Sequence, residues 1–105
     1  MVRRRPWPYP GGEFPHDLGA VVQRTVLDGQ LPALTVAHAA DGDWMVGDGV
    51  NDPNARGATV ATHIRHVVDR DPSVGPLASL APGSRADRET AAHPWVVSSF
   101  AYEDD

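Results

Sequence analysis

The chain has 105 residues, no cysteine and no lysine, and sets nine arginines against fourteen acids for a net charge of −5. A domain of this length buries roughly 60–70% of its unfolded surface, enough for one core without a metal or a disulfide. Missing cysteine excludes thiolate zinc sites and thiol nucleophiles, and an acidic body is poor ground for broad nucleic-acid binding, which needs clustered cations.

Residues 1–15 read as a flexible Pro/Arg-rich N-terminal tail ahead of a single domain over residues 16–105. Arg3, Arg4 and Arg5 open the tail, which leaves six arginines against fourteen acids in the rest of the chain. Pro6, Pro8, Pro10 and Pro15 remove backbone donors, and Gly11-Gly12 adds freedom. Trp7 and Tyr9 alternate with prolines, as in an extended polyproline-like segment. Deleting the chain through Gly12 is therefore expected to leave the fold intact. The arginines with their interleaved aromatics are the one feature suited to weak single-strand nucleic-acid binding. No apolar run reaches the length of a signal-peptide core or a membrane span, which makes the cytoplasm the default location.

Short β-rich runs follow, separated by turn dipeptides. Ala20 to Val26 is the first strand and Asp28-Gly29 the turn after it; Pro32 to His38 is the second strand. Asp41-Gly42 turns the chain again, and Trp44 to Val46 begins a third strand, so the pattern predicts an antiparallel meander. Gly47 to Gly57 is a loop. Val60, Ile64, Val67 and Val68 fall at helical spacing, which predicts a helix over Ala58–Asp69 with Thr59 as N-cap and Asp71-Pro72 as its stop. Ser73 to Leu80 makes a further short turn that packs Val74, Leu77 and Leu80. Pro82-Gly83-Ser84 breaks the chain, and Pro94 to Tyr102 is the final strand. The fold class is α+β: an antiparallel sheet of about four strands with one main helix packed on one face. Trp44, Val46, Val60, Ile64, Val67, Leu77, Leu80 and Trp95 are the expected core.

The chemistry-bearing residues gather in the loop. Gly47-Asp48-Gly49-Val50-Asn51-Asp52 resembles the last acidic motif of haloacid-dehalogenase-type phosphatases and P-type ATPases, whose carboxylates hold Mg²⁺. That chemistry also needs a nucleophilic aspartate in an Asp-x-Asp-x-Thr segment and a lysine against the phosphate. The chain has no lysine, and neither Asp41-Gly-Asp43 nor Asp69-Arg-Asp71 is followed by the threonine. Asp41, Asp43, Asp48, Asn51, Asp52 and Asn54 are dense enough in oxygen to suggest a hard cation. Their spacing fails the calcium-loop template, and turns use the same residue types to cap nearby backbone. His63 and His66 lie three apart, with no spacing that nominates His16, His38 or His93 as a third ligand. No nucleophile elbow or phosphate loop is present.

Gly19 to about Arg88 resembles a bacterial family of small domains of unknown function, some classed as immunity proteins of polymorphic toxin systems. The resemblance lies in the Gly19–Gly29 strand, Trp44 with Gly47-Asp48, and Asn51-Asp52-Pro53-Asn54. It continues through Asp71-Pro72, Leu77 and Leu80, Pro82-Gly83-Ser84 and Arg88. It covers about two-thirds of the chain; Gly49 stands where the family has an acidic residue, and the N-terminal segment lies outside it. The resemblance implies no catalytic residues and no cofactor. It implies a protein-binding domain, immunity-type. The acidic charge of the chain is the ground for expecting a basic toxin-like partner, met through Asp41, Asp43, Asp48, Asn51, Asp52 and Asn54. The alternatives from the residues themselves are a small metal-binding enzyme using Asp48–Asn54 and weak nucleic-acid binding through the N-terminal arginines.

Overall fold

A computed structural model describes residues 6–101 of the chain. Six strands form one sheet: β1 (Gly19–Gln23), β2 (Thr35–His38), β3 (Trp44–Gly47), β4 (Thr59–His63), β5 (Ser84–Asp87) and β6 (Val96–Ser99). Across the sheet they lie in the order β4-β1-β3-β2-β5-β6. Two short helices, α1 (Arg24–Leu27) and α2 (Arg65–Arg70), and two 3₁₀ segments, Pro10–Gly12 and Pro72–Ser79, complete the described fold. It is α+β with a mostly antiparallel, mixed sheet.

The β2–β3 hairpin turns at Asp41-Gly42 as the spacing predicts, with Val36 opposite Val46 and His38 opposite Trp44. The simple meander does not hold, because β1 pairs in parallel with β3 and antiparallel with β4. Arg24 to Leu27 leave the extended conformation in α1, and Gly29, at φ +78°, takes the left-handed position that ends a helix without a Cβ clash. That turn carries the chain past β3's place in the sheet, so β2 lies on the far side of β3.

The predicted helix over Ala58–Asp69 is half strand. Thr59 to His63 is β4, and it pairs along its whole length with β1, Val60 opposite Val22 and Thr59 opposite Gln23. Thr59, Val60 and Thr62 are β-branched and stiff at χ1, which suits a ladder better than a helical turn. Only Arg65–Arg70 is α-helical, and Thr59 caps nothing. Val60 and Trp95, two of the expected core residues, are half-buried, whereas the other six are buried. Ser84–Asp87 is a strand that short length and charged Arg85 and Asp87 hide from a hydrophobicity reading. The Pro72–Ser79 segment buries Val74, Leu77 and Leu80 as expected.

Within residues 6–15 the chain is anchored by buried Tyr9 and Phe14, which corrects the reading of that stretch as a flexible tail. Tyr9 and Phe14 are 4% and 3% exposed. The Tyr9 hydroxyl accepts a hydrogen bond from Trp44 Nε1 at 2.7 Å, and Trp7 Nε1 donates to the Ala78 carbonyl at 3.1 Å. Phe14 meets Trp44 edge-on at 4.9 Å between ring centroids, and His38 stacks on the same indole at 3.9 Å. The His38 Nδ1 lies 2.7 Å from the Leu80 carbonyl, and burial holds its pKa below the ordinary value. Arg3, Arg4 and Arg5 lie outside the described residues, as does Tyr102 of the final strand.

Two stability predictions follow from this core. Ile64 has no solvent exposure, so Ile64→Ala should cost roughly 2–4 kcal/mol in urea melts, and a loss below ~1 kcal/mol would contradict its placement. Deleting residues through Gly12 removes Tyr9 and leaves the Trp44 N–H without its partner. That truncation should lose at least ~3 kcal/mol, and an unchanged midpoint would restore the tail reading.

Candidate functional site

Residues alternate across the sheet, so each strand sends half its side chains to each face. Ala20, Val22, Val36, Trp44, Val46 and Ala86 turn toward the helices and the N-terminal segment and are buried among them. Val21, Gln23, Thr35, Ala37, Met45 and Arg85 turn to the opposite face, which no helix among the described residues covers. There they line a concave groove of about 430 Å³, with Gly47 in its floor and Phe100 at one side. Gly49, Asn51, Pro53 and Asn54 of the β3–β4 loop form a wall at one end. A volume of that order suits a small ligand or a few partner side chains.

The groove is concave because small residues lie in the middle of the sheet. A Cβ at Gly47 would stand 2.8 Å from Gln23 Oε1 and 3.0 Å from Thr35 Cγ2, so it would displace the Gln23 side chain. Gln23 Oε1 accepts the Asp48 N–H at 2.6 Å, and its Nε2 donates to the Asn51 carbonyl at 3.1 Å. At the opposite flank Arg85 Nε donates to Asp87 at 2.7 Å, an ion pair along β5 about 40% exposed at each side chain.

The loop wall is held by Asp48, whose side chain is fully buried. Its Oδ1 accepts the backbone N–H groups of Val50 and Asn51, each at 2.8 Å. Its Oδ2 accepts the Thr25 hydroxyl at 2.6 Å and Asn51 Nδ2 at 2.8 Å. Burial opposes ionisation of this carboxyl, but the donors from Thr25, Asn51 and Val50 outweigh it and hold the pKa at about 2. Asp48 thus serves the loop from inside, which removes it from the partner-facing set expected from the sequence.

The remaining members of that set scatter in role. Asp41 Oδ1 accepts the Asp43 N–H and Asp52 Oδ1 accepts the Asn54 N–H, the turn-capping pattern of exposed aspartates. Asn51 and Asn54 line the groove; Asp41 and Asp43 belong to the β2–β3 turn at the other end of that hairpin. His63 and His66 are exposed and stack at 5.9 Å. Among the described residues no three His, Asp or Glu side chains converge as metal ligands would, and no helix is long and apolar enough to cross a membrane.

A second polar cluster escapes sequence reasoning. Arg88, 8% exposed, donates to the Ala33 carbonyl at 2.8 and 3.0 Å and to Asp71 at 2.7 Å, with its guanidinium 4.1 Å over the Trp95 ring. It pins the β5–β6 connection to the start of the Pro72–Ser79 segment. The cluster unites Asp71 with Arg88, 17 positions apart in the chain. No family model, curated protein or solved structure matches the chain.

Asp48 makes the loop acid-sensitive in a defined direction. Its folded pKa lies below the ordinary value of 3.8, so its contribution is present above that value and lost as pH falls through about 2. Asp48→Asn should cost roughly 1–3 kcal/mol at pH 7 in denaturant melts. The gap to the parent protein should narrow between pH 4 and pH 2; a gap that stays constant would mean that charge does not hold the loop.

Proposed function

We propose that this is a non-catalytic protein-binding domain whose recognition surface is the uncovered sheet face. The observation that carries this reading is the groove itself. Its floor is apolar, with Val21, Ala37 and Met45, while Gln23, Asn51, Asn54 and Arg85 stand at its margins. An apolar centre inside a polar rim is how protein interfaces are built. Asp48, the residue that would anchor a metal-dependent phosphatase, has both carboxylate oxygens engaged by donors of its own loop and of Thr25. That engagement favours binding over phosphoryl chemistry.

An immunity-type role rests on the sequence resemblance, and a basic toxin-like partner on the acidic charge of −5. Complementary charge would speed encounter, while the groove would supply the affinity. The exposed Asp52, on the loop that walls the groove, is placed to contribute to such steering.

Pull-down from the native host with Val21→Arg tests the reading. Val21 is 38% exposed in the groove, so the variant should fold with little change in Tm yet lose the partner, while Asp41→Ala should retain it. A partner that co-purifies equally with Val21→Arg would place recognition elsewhere. Mg²⁺-dependent phosphatase activity of the purified protein, abolished by Asp48→Asn, would replace the binding reading with the enzyme one.

A further inference from the structure

The two edges of the sheet differ in kind. At one edge, β4 carries His63 and runs directly into α2, with Arg65 following. At the other, β6 is exposed at all four residues, and Val96 and Val97 are 65% and 59% exposed on opposite faces of the strand. No ionisable side chain lies between Pro94 and Ala101. Proteins guard exposed edges with lysines, inward charges or bulges; here Pro94, ahead of the strand, is the only such device in the segment.

The edge is also held in place. Trp95 Nε1 donates to the Ser73 carbonyl at 3.2 Å and carries the Arg88 guanidinium on its face, so the strand is anchored where it begins. At its end the Phe100 N–H donates to the Gly83 carbonyl at 2.8 Å. That bond sets the phase of the β5–β6 ladder, in which Val96 lies opposite Asp87 and Ser98 opposite Arg85. Val96, Ser98 and Phe100 therefore turn their backbone groups toward β5. Val97 and Ser99 turn theirs to the outer edge.

We propose that β6 pairs antiparallel with β6 of a second copy of this chain, about a two-fold axis at Ser98. In that register Val97 exchanges backbone hydrogen bonds with Ser99 of the second copy, and Ser99 with its Val97, so each outward N–H and C=O group gains a partner. The arrangement is self-complementary, as a closed two-fold interface must be. On the groove side Val96 meets Phe100 of the second copy, an aliphatic–aromatic cross-strand pair. The charge distribution favours this seam for a second copy. Each chain carries −5, so most ways of bringing two copies together oppose acids, whereas the Pro94–Ala101 segments bring none. A seam of one short strand is small, so the association is weak.

The axis gives a clean test, because the chain has no cysteine. Ser98→Cys places two thiols opposite each other in a non-hydrogen-bonded pair, where strand Cβ atoms come closest. Mild oxidation at ~100 µM protein should convert most of Ser98→Cys to a disulfide dimer, at least ~10-fold faster than Ala61→Cys on β4. In parallel, sedimentation of the parent protein should show average mass rising with concentration, and Val97→Lys should remain monomeric with an unchanged Tm. Equal cross-linking of Ser98→Cys and Ala61→Cys, or a parent protein monomeric up to ~500 µM, would overturn the proposal. Faster cross-linking of Ala61→Cys would assign the association to the β4 edge instead and equally overturn it. Loss of the dimer and loss of a groove partner are separate outcomes, since Val97 does not line the groove.

Discussion

A buried carboxylate is costly unless donors replace the water it has lost, and the site depends on how Asp48 meets that demand. Its donors come from two places in the chain: Thr25 at the start of α1, and Val50 and Asn51 in the loop after β3. Gln23, the last residue of β1, binds the backbone on both sides of the same carboxylate. The parallel ladder between β1 and β3 covers only Val21 with Met45 and Val22 with Val46. Parallel pairing is also the weaker kind per residue. Side chains therefore continue the join beyond the point where backbone pairing stops. The loop that walls the groove stands where this network holds it.

The groove exists because the described residues cover only one face of the six-stranded sheet. Two short helices, the Pro72–Ser79 segment and the N-terminal residues all gather on one side, around Trp44. Tyr9, Phe14 and His38 pack against that indole. What remains on the other side is a floor of small and medium residues, apolar enough to be sheltered and too open to be a core. Ala37 illustrates the compromise: it faces the uncovered side yet is only 7% exposed, because its neighbours rise around it.

Much of this architecture is legible in the sequence, and the failures have physical causes. The Asp41-Gly42 hairpin, strand β3 and the packing of Val74, Leu77 and Leu80 follow from local turn chemistry and apolar spacing. The stretch Thr59–His63 misleads because Val60 and Ile64 are four apart, a helical spacing that arises here across a strand–helix junction. Ile64 ends the strand pairing and begins the helix cap, so one apolar residue serves two periodicities. The β-branched Thr59, Val60 and Thr62 carried the competing signal. The N-terminal segment misleads for another reason: its prolines rule out a helix or an inner strand but do not prevent Tyr9 and Phe14 from docking as isolated anchors. The parallel β1–β3 pairing is not readable locally, since it depends on which way α1 carries the chain. The groove, assembled from the outward faces of strands whose order is unknown from sequence, was therefore invisible.

The acidic residues show most clearly how composition can be mistaken for a site. Asp41, Asp52 and Asp71 each accept the N–H of the residue two places on, from Asp43, Asn54 and Ser73. Asp48 does the same for Val50. Four aspartates in one chain thus perform one local task, shaping turns by replacing a backbone acceptor with a carboxylate. Asp71 is the member that also meets a cation: burial opposes its charge, and Ser73 and Arg88 restore it. Asp48 is buried and Asp71 is paired with Arg88, so Asp41 and Asp52 are the two whose turn-making leaves charge at the surface. Any partner that this charge attracts must therefore be distinguished by the shape and apolar floor of the groove, because the carboxylates lie at turns that the fold requires whether or not a partner exists.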